Sequence, residues 1–218
     1  MKPPATKLWA RESNVVGDEE VAHMDRWCDP ETGVRVLRLT SLPYVNSHIY
    51  PEAPVSMPDG NRFIFRRRDP FAGTTHFWIA DLTTRQIRQI TDETNIKSFP
   101  VVTPDGTSIY YTAGDTIMRM SPETFEREPV YEIPTDQFAS IGGGGSISHC
   151  GTRLLARASL GPGRHGVAVI DLKNQSTHMA FEHPDCLNPH TQYCRTNDYK
   201  ILVQVNDGIE FDADGNRL

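Results

Sequence analysis

Short runs of apolar and β-branched residues alternate along the chain with polar turns, and almost no window carries the 3.6-residue period of an amphipathic helix. Phe77-Trp78-Ile79-Ala80-Asp81-Leu82 is followed by Gln86-Ile87-Arg88-Gln89-Ile90-Thr91, and Val167-Ala168-Val169-Ile170-Asp171-Leu172 by Thr177-His178-Met179-Ala180-Phe181. Each pair predicts two β-strands joined by a tight polar connection. Turns such as Asp29-Pro30-Glu31-Thr32-Gly33, Ser121-Pro122-Glu123-Thr124 and Asp212-Ala213-Asp214-Gly215 separate further strands.

These strands recur with a fixed period. Val55-Ser56-Met57-Pro58-Asp59-Gly60-Asn61-Arg62-Phe63-Ile64-Phe65 aligns with Val102-Thr103-Pro104-Asp105-Gly106-Thr107-Ser108-Ile109-Tyr110-Tyr111. Weaker copies follow at Ile147-Ser148-His149-Cys150-Gly151-Thr152-Arg153-Leu154-Leu155 and at Tyr193-Cys194-Arg195-Thr196-Asn197-Asp198-Tyr199-Lys200-Ile201-Leu202. The landmarks Gly60, Gly106, Gly151 and Asp198 stand 46, 45 and 47 residues apart. Strand, Pro-Asp-Gly turn, strand, then two more strands within about 45 residues describe one four-stranded antiparallel propeller blade.

The fold expected is therefore an all-β propeller. It holds about four blades and the start of another, in residues 26–218, behind a loose leader at 1–25. The segment 33–40 reads as an outer strand of the kind a closing blade borrows from the far terminus, and 209–218 stops midway through a blade. An open, C-terminally truncated ring is the expectation, and its unpaired edge strands would invite self-association.

Composition narrows the partners. The 218 residues carry 22 Lys and Arg against 28 Asp and Glu, a net charge of −6. That balance argues against nucleic acid and anionic membranes, which are bound by neutralising phosphates. No stretch approaches the ~20 apolar residues of a membrane helix. The first residues lack the apolar block of a signal peptide, and the four cysteines at 28, 150, 186 and 194 form no disulfide framework. A cytoplasmic protein is expected.

The chemistry-bearing residues gather late in the chain. His183, Cys186, His190 and Cys194 have a spacing that four-coordinate zinc could use, but structural zinc sites favour tighter Cys pairs, so a loop without metal is the better reading. His190 stands apart because the repeat places it just before an inner strand, where the loop opens on the channel mouth. An imidazole there can act as a base near neutral pH. Arg164, on the loop into the third strand of its blade, could clamp a carboxylate. His48 is a weaker candidate for the channel lining. The run 142–145 of four glycines lacks the Gly-Lys-Ser/Thr ending of a phosphate loop and suits close backbone approach at an inner strand. Asp59, Asp81, Asp105 and Asp171 recur at matching repeat positions, which marks them as turn residues.

His48-Ile49-Tyr50, Met57-Pro58-Asp59-Gly60-Asn61-Arg62-Phe63-Ile64-Phe65, Ala80-Asp81-Leu82, Gln89-Ile90-Thr91, Ile117-Met118-Arg119-Met120-Ser121-Pro122-Glu123-Thr124, Pro129-Val130-Tyr131-Glu132-Ile133-Pro134 and Asn188-Pro189-His190-Thr191-Gln192-Tyr193 together resemble the oligogalacturonate lyases of polysaccharide lyase family 22. The resemblance runs over residues 29–207. It implies a seven-bladed cytoplasmic propeller that cleaves short oligogalacturonates, in pectin degradation, by β-elimination with manganese. It further implies that His190 matches the catalytic base and Arg164 an assisting arginine. The metal ligands it implies, histidines and a glutamine, belong to later blades, so no manganese ligand is expected within these residues. Two readings follow: an oligogalacturonate lyase, or a non-catalytic propeller that binds a sugar or protein partner.

Overall fold

The computed structural model describes residues 19–21, 25–40 and 44–206. Every regular element is a strand apart from one short 3-10 turn at Thr135–Gln137. The 209–218 portion of the expected last blade, and most of the expected leader, lie outside the described residues.

Three four-stranded antiparallel blades follow one another. The first contains β4 (Val45–Ser47), β5 (Arg62–Arg68), β6 (Thr75–Asp81) and β7 (Gln86–Gln89), with β1 (Glu19–Val21) added beyond β7 as a fifth strand. The second is β8 (Val101–Val102), β9 (Ile109–Ala113), β10 (Thr116–Met120) and β11 (Arg127–Glu132). The third is β12 (Ser140–Ile147), β13 (Arg153–Gly161), β14 (Arg164–Asp171) and β15 (Ser176–Glu182). A fourth begins with β16 (Gln192–Cys194) and β17 (Asn197–Leu202). The segment expected to be a borrowed outer strand forms instead a largely exposed hairpin, β3 (Arg35–Arg38) paired with β2 (Asp25–Cys28). The fifth strand of the first blade is β1, from further upstream.

The continuous apolar runs are explained by burial on both blade faces. Along β9, Ile109 and Tyr111 join Ile64, Phe77 and Ile79 of the first blade, whereas Tyr110 between them turns to Leu154, Ala156 and Ile170 of the third. Along β13 the same alternation sends Leu155 the other way, onto Val167, Val169, Cys186 and Tyr193. Period-2 side-chain alternation thus glues each blade to both neighbours. The repeated turns are also built alike. Gly60, Gly106 and Gly151 sit at φ +70°, +73° and +71°, where a β-carbon would be strained. Asp59, Asp81, Asp105 and Asp171 each accept backbone N–H bonds two residues on, at 2.7–3.1 Å.

One irregularity positions the site. The inner strand of the first blade is interrupted: β4 pairs with the end of β5, and Ser56 bridges Phe63 near its start. Between them residues 48–54 leave the sheet, held by the Ala53 N–H on the Tyr50 carbonyl and by the Pro54 carbonyl, which accepts from Val102 N–H in β8. The prolines at 51 and 54 remove the donors a continuous strand would need there. Among the described residues no helix is long and apolar enough to cross a membrane.

Candidate active site

The connection from β15 to β16 carries His190 and is pinned on several sides. The Pro189 carbonyl accepts from Gln204 N–H at 2.7 Å, the Asp185 carbonyl from Asn206 N–H at 2.9 Å, and Asn188 N–H donates to Asn206 Oδ1 at 2.8 Å. Cys186 is fully buried beneath it, and burial pushes its thiol pKa up. At the far end Tyr193 N–H donates to Ser146 Oγ of β12 at 2.8 Å.

His190 itself has φ +38°. The other described non-glycine residues with positive φ, Arg85, Phe125 and Gln175, all lie in turns between third and fourth strands, where a left-handed residue closes a hairpin. His190 has no such excuse. A left-handed backbone at a bulky residue persists only where its surroundings over-determine it, and such strain concentrates at functional positions.

The surroundings come from the 48–54 excursion, 138 to 140 residues away in sequence. Glu52 Oε1 and Oε2 lie 3.1 and 3.2 Å from His190 Nδ1. Tyr50 Oη lies 2.9 Å from Nδ1 and 3.3 Å from Nε2, and its ring stacks on the imidazole with centroids 5.5 Å apart. Phe99 stacks on the other side of Tyr50 at 5.2 Å. Asn188 Nδ2 stands 2.8 Å from Nε2. The His190 and Glu52 side chains are 23% and 30% exposed, so the pair is partly desolvated yet reachable.

This cluster lines an open cleft of about 210 Å³ together with Ala53, Gly145, Arg157, Pro189 and Thr191. A second cleft of about 380 Å³, along the inner strands of four blades, shares Glu52 and adds His149, Gln192 and Arg195. The cation in the His190 cleft is Arg157, on β13. Its register partner is Gly142, and its Nη1 donates to the Leu187 carbonyl at 3.3 Å.

Arg164, the sequence candidate, begins β14 on the same end of the third blade, but does not line this cleft. Its Nε and Nη2 grip Glu182 on the outer strand at 2.7 and 3.0 Å. The pair lowers the Glu182 carboxyl pKa and raises that of the guanidinium. The side chain is 57% exposed, so the contact is worth little in stability. His48 is exposed at the start of the excursion, and His183 stacks on Phe181 while its Nδ1 accepts from Asp185 N–H at 3.2 Å. Among the described residues no group of three or more His, Cys, Asp or Glu side chains converges as a bound metal would require.

The sequence singles out His190 by its place before an inner strand, and not the residues the structure sets around it. Tyr50, Glu52 and Asn188 bear no repeat signature, although the Pro-flanked interruption at 48–54 was visible. Arg157 had a signal too: a lone cation in the apolar run Leu154-Leu155-Ala156-Arg157-Ala158, facing the glycines of 142–145.

Residues 17–157 match the sequence profile of the family described as oligogalacturonate lyase. Tyr50, Glu52, Phe99, Gly145 and Arg157 fall inside that match, and Arg164, Asn188 and His190 beyond it. A curated oligogalacturonate lyase of Dickeya dadantii (strain 3937) is 29% identical over 110 residues, which is 50% of this chain and 28% of that protein. Among solved structures, an oligogalacturonate lyase in complex with manganese has a TM-score of 0.66 at 20% identity, covering 78% of this chain and 50% of that one. One from Vibrio parahaemolyticus has a TM-score of 0.65 at 18% identity over the same shares. TolB from Acinetobacter baumannii has a TM-score of 0.53 at 16% identity, covering 88% and 44%. The structural likenesses show the propeller fold, and the chain spans about half the length of the solved lyases it matches. With the family profile running from β1 through the first two blades into β13, this chain belongs to the oligogalacturonate lyase family.

Proposed function

We propose that this cleft cleaves short oligogalacturonates by β-elimination, with His190 as the base. The observation that carries the reading is His190 itself, held in a left-handed backbone at the rim of an open cleft by Tyr50, Glu52 and Asn188. Family membership supplies the substrate class.

The residue types suit that chemistry. The proton to be removed lies α to the carboxylate of a uronate, and its removal leaves negative charge on that carboxylate. Arg157, in the same cleft, is the cation that would stabilise this charge by pairing with the carboxylate. Nε2 of His190 takes the proton. The C–H electron pair becomes the C=C bond as the glycosidic C–O bond breaks, and the departing oxygen takes a proton from solvent.

Manganese accompanies one solved relative. The described residues supply no ligand cluster for it, so no step here runs through a metal. A cytoplasmic location is part of the reading, supported by four cysteines that are all free thiols.

The test is an ultraviolet assay with digalacturonate and trigalacturonate, with and without manganese. A rise in the absorbance of the unsaturated uronate supports the reading. Binding of these sugars without any rise under either condition would overturn it in favour of a non-catalytic sugar-binding module.

A further inference from the structure

The imidazole of His190 has two edges, and the structure treats them differently. Around Nδ1 stand oxygens: both carboxylate oxygens of Glu52 at 3.1 and 3.2 Å, and Tyr50 Oη at 2.9 Å. Around Nε2 stands the Asn188 amide nitrogen at 2.8 Å, with Tyr50 Oη farther off at 3.3 Å than it is from Nδ1. An ionised carboxylate can only accept hydrogen bonds, and an amide NH₂ can only donate. A lone pair on Nδ1 would therefore face two anionic oxygens with no proton between them. A proton on Nε2 would face the amide's own hydrogens. The opposite tautomer satisfies every partner: Nδ1–H donates to Glu52, with Tyr50 Oη as a second acceptor, and Nε2 accepts from Asn188.

We propose that Glu52 is a positioning residue, which fixes His190 as the Nδ1–H tautomer and so makes Nε2 the basic nitrogen, its lone pair held by the Asn188 amide until substrate displaces that donor. This rests on the reading of His190 as the base, but its structural half stands without turnover. Charge decides the assignment, because a hydrogen bond to an ionised acceptor is roughly twice as strong as one between neutral groups. Partial burial of both side chains keeps that advantage from being fully screened. The arrangement also explains the excursion 48–54, since an uninterrupted inner strand would keep Glu52 within the sheet and away from a loop of the fourth blade. When Nε2 has taken a proton, the same carboxylate stabilises the resulting imidazolium.

The structural half is read by ¹⁵N-detected ring resonances of the histidine-labelled protein, taken to rising pH until the His190 signals no longer move. The His190 signals are assigned by their loss in His190→Gln. In the parent, Nδ1 is expected to show the protonated type of shift and Nε2 the unprotonated type. Glu52→Leu, which removes the acceptor from Nδ1, should shift the ring toward the Nε2–H form, and Glu52→Asp should keep the parent pattern. Unchanged ring signals from the other seven histidines show that the variants fold. A parent ring protonated on Nε2 alone, or a Glu52→Leu ring with the parent pattern, overturns the proposal.

The kinetic half applies the ultraviolet assay to the same proteins. Glu52→Leu is expected to lower kcat by about 10–100-fold with KM within about twofold, and Glu52→Asp to recover part of the loss. Equal kcat in parent and Glu52→Leu refutes the positioning role. If the parent shows the expected tautomer and cleaves nothing, the lyase reading fails while the tautomer assignment holds.

Discussion

The packing beneath the His190 loop makes a quantitative prediction through Leu155. This side chain is 0% exposed and sits among Val167, Val169, Cys186 and Tyr193, so it joins the third blade to the segment that carries the site. Leu155→Ala removes roughly three carbons from a dry site. At about 0.8 kcal/mol per buried methylene that is about 2.4 kcal/mol of lost transfer energy. A residual cavity adds to it, because β13 and β14 are held by their ladder and cannot collapse fully. The total should be about 3–4 kcal/mol, within the range for buried Leu→Ala changes. For a chain of this length each kcal/mol moves the melting midpoint by about 2–4 °C, so a fall of roughly 6–16 °C is expected. The assay is thermal and urea unfolding followed by far-ultraviolet circular dichroism, with Leu202→Ala as the control. Leu202 is 63% exposed, and its truncation should cost no more than about 0.5 kcal/mol. A Leu155→Ala loss below about 1 kcal/mol, or one equal to that of Leu202→Ala, would refute the claim that this contact docks the site loop onto the third blade.

Gly166→Ala should be comparably harmful for the opposite reason. Its β-carbon would lie 1.9 Å from the Phe181 carbonyl oxygen, forcing β14 and β15 apart at the bulge between Val167 and Ala168, at about 1–3 kcal/mol by urea midpoint; a stability equal to the parent's would contradict the register. Stability should also fall on mild acidification through His76, which is 6% exposed and whose pKa burial pushes below the ordinary 6.5, against the pull of Asp92, Glu93 and Asp69. The unfolded chain takes up a proton at about 6.5 that the folded chain refuses, so stability is lost as pH drops from there toward the folded value, and His76→Gln should flatten the fall in urea midpoint between about pH 7.5 and 5.5. Equal falls in both proteins would count against it. Thiol labelling followed by mass spectrometry should find Cys194 reactive in the native protein, since Thr196 chiefly, and Lys200 as well, stabilise its thiolate, while buried Cys186 reacts only on unfolding; early labelling of Cys186 would contradict the packing.

What the sequence disclosed, it disclosed through repetition. Gly60, Gly106 and Gly151 announced the turns because only a residue tolerant of positive φ can occupy them, and the flanking apolar runs announced strands buried on both faces. His190 was legible because the period located it before an inner strand. Glu52 and Tyr50 were not, because their role depends on a contact across about 140 residues made by a segment that leaves the repeat. Arg164 looked available as an isolated cation, yet the antiparallel pairing of β14 with β15 sets it beside Glu182. Arg157 was overlooked because an arginine within a strand reads as a solvated edge until the glycine-rich partner strand is seen beside it. The hairpin of β2 and β3 defeated prediction for another reason: an exposed pair of short strands has no burial pattern to declare its partner.

Proton transfer by the His190 ring is tested most directly by one comparison. The decisive measurement is the initial rate of unsaturated-uronate formation from trigalacturonate by the parent and by His190→Ala, both proteins with manganese and with melting midpoints matched beforehand. With His190 as the base, the parent turns over and the variant loses at least about 100-fold, the size expected for removing a general base. Equal rates in the two proteins would contradict it.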